Sequence, residues 1–100
     1  MKIKYYINLA KKNNNLKSDA QLAKMLGIHP NSLCNIVNKK VRPKQENLLK
    51  ILDLAKISDE ERRFIMLDYV ASYRPNSEFS KLIKEQMKSL PFYQKNARSL

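Results

Sequence analysis

Apolar residues recur along this chain three and four positions apart, and nowhere do they alternate over the length of a strand. Ile3, Tyr6, Ile7 and Ala10 share one side of a first helix predicted over 3–12, with lysines between them. The run NNNLKS (13–18) interrupts it. Ser18 is a favourable N-cap, and Gln21 stands where a capping-box partner belongs. A second helix then runs from about Asp19 to Leu26 and buries Leu22, Ala23 and Leu26. Pro30 opens a third over 30–38, with Leu33, Ile36 and Val37 as its apolar positions. A fourth spans 45–55 on Leu48, Leu49, Leu52 and Ala55. Ser58 and Glu61 form a second capping box that starts a fifth helix at about Asp59. That helix is apolar over more than one side, through Phe64, Ile65, Met66, Leu67, Tyr69, Val70 and Tyr73. RPNS (74–77) breaks it, and a sixth helix over about 78–90 carries Phe79, Leu82, Ile83, Met87 and Leu90 on one stripe. Pro91 ends that helix, and FYQKNARSL reads as a loose tail.

Composition agrees with an all-α chain. The 100 residues include one glycine, too few for the closely spaced turns of an all-β fold. That length suits one domain, or one domain with an arm. The glycine is Gly27, just past the second helix, where a left-handed backbone is favoured and a Cβ is costly. Two short helices joined by a brief turn containing glycine make a helix-turn-helix. Ala23 is small where the two helices cross, and Leu22, Leu26, Ile28, Leu33 and Ile36 bury the unit.

The net charge of +11 is uneven. Residues 1–50 hold 11 Lys/Arg against 2 Asp/Glu, or +9, and residues 51–100 hold 9 against 7, or +2. A strongly basic half is the footprint of a polyanion-binding surface. It lacks the long amphipathic helix that would suit a membrane surface, and no apolar run reaches spanning length. The opening MKIKYYINLAKK has no sustained apolar segment and is not read as a signal peptide. Cys34, the only cysteine, allows no internal disulfide, and the whole fits a reducing cytoplasm.

DAQLAKMLGIHPNSLCNIVNKKVRP (19–43) closely resembles the helix-turn-helix of the phage-repressor-like family, the Cro and Xre type regulators. The match runs through Ala23, Gly27, Ile28, Leu33, Ile36 and Asn38 to a basic loop ending at Arg42 and Pro43. More loosely it extends over residues 5–70. The resemblance implies a lambda-repressor-like five-helix DNA-binding domain over 1–73. Residues 74–100 then add a C-terminal helix and basic tail for dimerisation or packing. It also implies a sequence-specific transcriptional regulator, usually a homodimer on double-stranded DNA of two-fold symmetry.

In such a unit the N-terminal part of the second helix enters the major groove. His29, Asn31, Ser32 and Asn35 are therefore expected to face bases. The amides of Asn31 and Asn35 suit adenine N6 and N7, while Ser32 is equally suited to phosphate. Ordinary surface polarity is the plain alternative for Asn31 and Asn35. His29 is also expected to cap the helix. Asn38, Lys39, Lys40, Arg42 and Lys44 are expected to grip phosphates, against the alternative of a solvated basic loop. Ser18 would place backbone N–H groups on a phosphate. Asp19, where several relatives carry an uncharged glutamine, opposes that contact by its charge. Cys34 is either a small half-buried residue or a redox-sensitive one. Phe64, Leu67, Tyr73, Phe79, Leu82, Ile83 and Met87 are the dimer candidates, with a central core position as the alternative for the fifth helix.

An enzyme is the least favoured class. The chain offers no nucleophile–base pair, no phosphate loop and no zinc set, so no cofactor and no metal are expected. Two other readings stay open. One is the antitoxin of a toxin–antitoxin pair, with a small protein partner as well as DNA. The other is an architectural DNA binder without sequence preference.

Overall fold

A computed structural model of the chain describes residues 2–72 and 77–90. Those residues form six helices and no strand: α1 (Ile3–Asn13), α2 (Asp19–Leu26), α3 (Pro30–Val37), α4 (Gln45–Ala55), α5 (Asp59–Ala71) and α6 (Glu78–Lys88). The sequence pattern places all six. The third ends one residue earlier than expected, with Asn38 as its C-cap, and the sixth stops before Ser89. Tyr73, the expected break at 74–76, Pro91 and the tail lie outside the described residues.

Packing divides the chain into two compact units, Lys2–Ile57 and Ser58–Leu100. By packing, α5 goes with α6. In the first unit α1 packs on α4, and α2 and α3 pack on each other and on α1. Its core holds Ile3, Tyr6, Ile7 and Ala10 with Leu22, Ala23, Leu26, Leu33 and Ile36. Leu48, Ile51, Leu52 and Ala55 complete it. Ile51 takes the buried place expected of Leu49, which is half-buried. Each fully buried leucine or isoleucine contributes roughly 1.5–3 kcal/mol by leaving water.

Four residues with a left-handed backbone punctuate this unit: Asn15, Gly27, Lys39 and Lys56, with φ between 55° and 73°. At the first three, two backbone hydrogen bonds close the preceding helix. The N–H of Leu16 bonds Lys11 O, that of Ile28 bonds Ala23 O, and that of Lys40 bonds Asn35 O. Inside each, the N–H of Asn15, Gly27 or Lys39 bonds Lys12 O, Lys24 O or Ile36 O. This paired closure satisfies carbonyls that a helix end leaves free. Only one of the four left-handed residues is glycine. A Cβ on Gly27 would meet nothing within 4 Å, so its requirement is φ alone.

Side-chain caps fix the starts of α2 and α5, whereas α1 and α4 have none. Ser18 Oγ accepts from Gln21 N, and Ser58 Oγ accepts from Glu61 N. The box at Ser18 closes one residue early, because Gln21 Oε1 accepts from Lys17 N at 2.6 Å rather than from Ser18 N. The run of asparagines does more than interrupt α1. Asn13 Nδ2 donates to Ala55 O, and Asn14 Nδ2 donates to both Ala10 O and Leu54 O. The carboxyl ends of α1 and α4 are thereby tied together.

In the second unit α5 packs on α6, and Phe64, Ile65, Ala71 and Met87 are buried. Ser77 caps α6 by accepting from Ser80 N. Buried Ser80 donates from Oγ to Ala71 O at 2.7 Å and so ties the first turn of α6 to the last residue of α5.

Two kinds of substitution test these constraints. Gly27→Ala should lower stability by about 1 kcal/mol, since alanine must hold a left-handed φ. Lys39→Gly should raise it by about 0.5 kcal/mol, left-handed strain relieved being partly offset by glycine's entropy. Urea unfolding of the two variants should therefore shift in opposite directions. Asn14→Ala removes two carbonyl contacts and should cost about 1–2 kcal/mol in the same measurement.

Candidate nucleic-acid interface

The interface is built on α3 and the segments that enter and leave it. Leu33 and Ile36 anchor the helix by burial, and Val37 is half-buried beside them. On the other side Asn31, Ser32 and Cys34 are exposed and Asn35 is half-buried. Asn31, Asn35 and Asn38 are four and then three apart and so line one stripe. The side-chain amides of Asn31 and Asn35 bond to no other described residue, leaving donor and acceptor free to meet a base edge.

Two devices aim this stripe. Gly27 ends α2 in a left-handed turn, and Ile28, half-buried, follows it inward. His29 then caps α3: its Nδ1 accepts from Asn31 N at 3.0 Å. The cap uses an unprotonated Nδ1, so the ring proton sits on Nε2. His29 is exposed, and Nε2–H is the single donor its ring can offer outward.

At the far end Lys39 turns the chain out of α3, and Lys39, Lys40 and Lys44 are exposed. Arg42 is half-buried and Pro43 is buried, which fixes the loop between α3 and α4. Asn38 stands exposed at the turn, and its Nδ2 donates to Cys34 Sγ at 3.3 Å. Part of its amide is therefore engaged along the helix.

Three expectations change in the structure. Cys34 is exposed rather than half-buried, because Leu33 and Ile36 set the buried face and leave position 34 on the other side. Asp19 does not present a bare negative charge beside exposed Ser18. Its Oδ1, shielded from water, lies 2.7 Å from Lys11 Nζ on α1. That pair is partly exposed and contributes at most about 1 kcal/mol to stability, but it offsets the charge locally. The dimer candidates separate as well. Phe64 and Met87 are buried, Leu67 and Ile83 are half-buried, and Phe79 and Leu82 are exposed. Tyr73 lies outside the described residues.

Sequence reasoning missed two structural roles around this surface. Lys39 looked like a phosphate ligand alone, yet it holds the left-handed stop of α3. Lys11 looked like one solvated lysine of the first helix, yet it balances Asp19. The acidic first turn of α2 was the available signal for the second; nothing marked the first.

No helix among the described residues is long and apolar enough to cross a membrane. Comparison with curated proteins and with solved structures returns no match to this chain. A family model described as helix-turn-helix, by contrast, matches residues 9–61, just over half of the chain and all of α2, α3 and α4. The matched residues include the left-handed turn at Gly27 and the whole of α3. The chain belongs to the helix-turn-helix family of the Cro/C1 and Xre type, whose members are DNA-binding transcriptional regulators.

Proposed function

We propose that the protein is a repressor of phage or mobile-element type that binds an inverted-repeat operator as a homodimer, with α3 in the major groove. The observation that carries this reading is the exposed polar stripe of α3, framed by the His29 cap and the basic segment 39–44. Asn31 and Asn35 suit paired contacts to adenine N6 and N7. His29, donor-only through Nε2–H, suits an acceptor at the groove edge, and Ser32 suits base or phosphate. Lys39, Lys40, Arg42 and Lys44 supply phosphate contacts, joined by Asn38 through what remains of its amide. Ser18, at the start of α2, sits beside a carboxylate already paired with Lys11, which favours a phosphate there. Two copies of α3 would lie roughly 34 Å apart, one turn of DNA.

The antitoxin reading draws on a different feature. Asp59, Arg62, Arg63, Met66, Leu67 and Val70 line a shallow depression of about 350 Å³ on α5, with Met66 and Val70 exposed. A small protein that copurifies with the chain, and is lost with Met66→Lys, would favour that reading.

The division between reading and gripping residues has a direct test. Asn35→Ala should cost about 1–3 kcal/mol on the operator and relax preference at one base pair. Lys40→Ala should weaken operator and scrambled duplex alike and reduce the salt slope by about one. Fluorescence anisotropy titrations at several salt concentrations measure both. Equal losses on both duplexes for both variants would overturn the assignment.

A further inference from the structure

α6 has two apolar sides, and among the described residues only one of them is covered. Ser80 and Met87 are buried and Ile83 is half-buried on the covered side. On the other, Phe79 is 79% exposed and Leu82 is 58% exposed. They stand three residues apart, on one stripe. Removing such side chains from water is favourable, so the pair is a strong seed for association. Along one edge of the stripe run Glu78, Lys81, Glu85 and Lys88, spaced three, four and three residues apart and all exposed. None of the four forms an ion pair with another described residue.

We infer that this face is covered by α6 of a second copy of the chain, the two helices antiparallel about a two-fold axis at the level of Ile83. The inference deepens the homodimer reading and rests on it. In an antiparallel pair the same edge of each helix meets itself reversed, as in any two-fold interface. The order Glu, Lys, Glu, Lys is complementary to its own reverse. Glu78 then meets Lys88 of the partner subunit, and Lys81 meets Glu85 of the partner subunit, each with its symmetry mate. Phe79 and Leu82 close the centre of the contact beside them.

The alternatives fail on the same charges. A parallel pair sets this edge against the opposite one, which carries none of the charged residues of α6 and leaves all four charges unmatched. A slide by one turn in the antiparallel pair sets Glu78 against Glu85 of the partner subunit, a like-charge contact. A uniformly acidic or basic partner would repel half of the edge. A second copy in this one register satisfies every position.

Sedimentation analysis of the full chain tests the inference, with circular dichroism to confirm that each variant keeps its helices. Leu82→Glu, at an exposed position, should raise the dimer dissociation constant at least about tenfold. Lys81→Glu alone and Glu85→Lys alone each place like charges in register and should each weaken self-association about tenfold. An equimolar mixture of these two variants restores opposite charges in every pair. It should form a heterodimer within about threefold of the wild-type constant. Rescue by mixing separates contacts between chains from the attraction of Lys81 and Glu85 within one helix. A mixture no tighter than its components would overturn the antiparallel register, and an unchanged Leu82→Glu dimer would overturn the use of this face. Both results leave a homodimer in place. A wild-type chain monomeric both alone and on operator DNA would instead contradict the homodimer reading itself.

Discussion

A left-handed residue past the end of each of α1, α2, α3 and α4 decides where the next segment goes. Short helices gain little stability from their own hydrogen bonds and depend on packing. Helices of 8 residues, such as α2 and α3, therefore need sharp, fixed ends if their apolar residues are to meet. The stop at Gly27 turns the chain so that Ile28 is half-buried and His29 can cap α3. The stop at Lys39 returns it toward buried Pro43 and the start of α4. Take away either, and the polar stripe of α3 loses its fixed direction while each helix could still form.

The same residues join fold and binding. Lys39 closes α3 through its backbone and presents its ammonium from the exposed turn. His29 spends one ring nitrogen on the cap and leaves the other outside it. Asn38 shares its amide with Cys34. A surface whose groups are held by their own backbone roles loses less entropy on meeting DNA than one of free side chains. The basic half of the chain adds attraction that is long in range and blind to sequence. In the proposed complex, discrimination falls to a few neutral amides on α3.

Much of this was legible in the sequence because the signals are local. Helix spacing, Ser18, Ser58, Gly27 and Pro30 each act within a turn of their own position, and the structure places all five as their chemistry suggests. What stayed hidden depends on distance or on backbone strain. Asn14 reaches Leu54 O across forty positions, and no pattern in an asparagine run names its partner. Lysine seldom adopts a left-handed φ, so Lys39 and Lys56 gave no warning that they end helices. The exposure of Cys34, by contrast, follows from the burial of Leu33 and Ile36, which the sequence already marks, and so was open to reading. Asp19 looked unfavourable for a phosphate until Lys11, eight positions back, came beside it. The buried bond from Ser80 to Ala71 O, which ties α6 to α5, was equally out of reach.

The central claim is that the exposed stripe of α3 reads base sequence from a two-fold pair of chains. Selection of bound molecules from a random-sequence duplex pool, at near-physiological salt and followed by sequencing, tests it most directly. The account predicts an enriched inverted repeat with half-site centres about 10–10.5 base pairs apart. Binding without any enriched sequence would contradict it and leave the asparagines of α3 as ordinary surface residues.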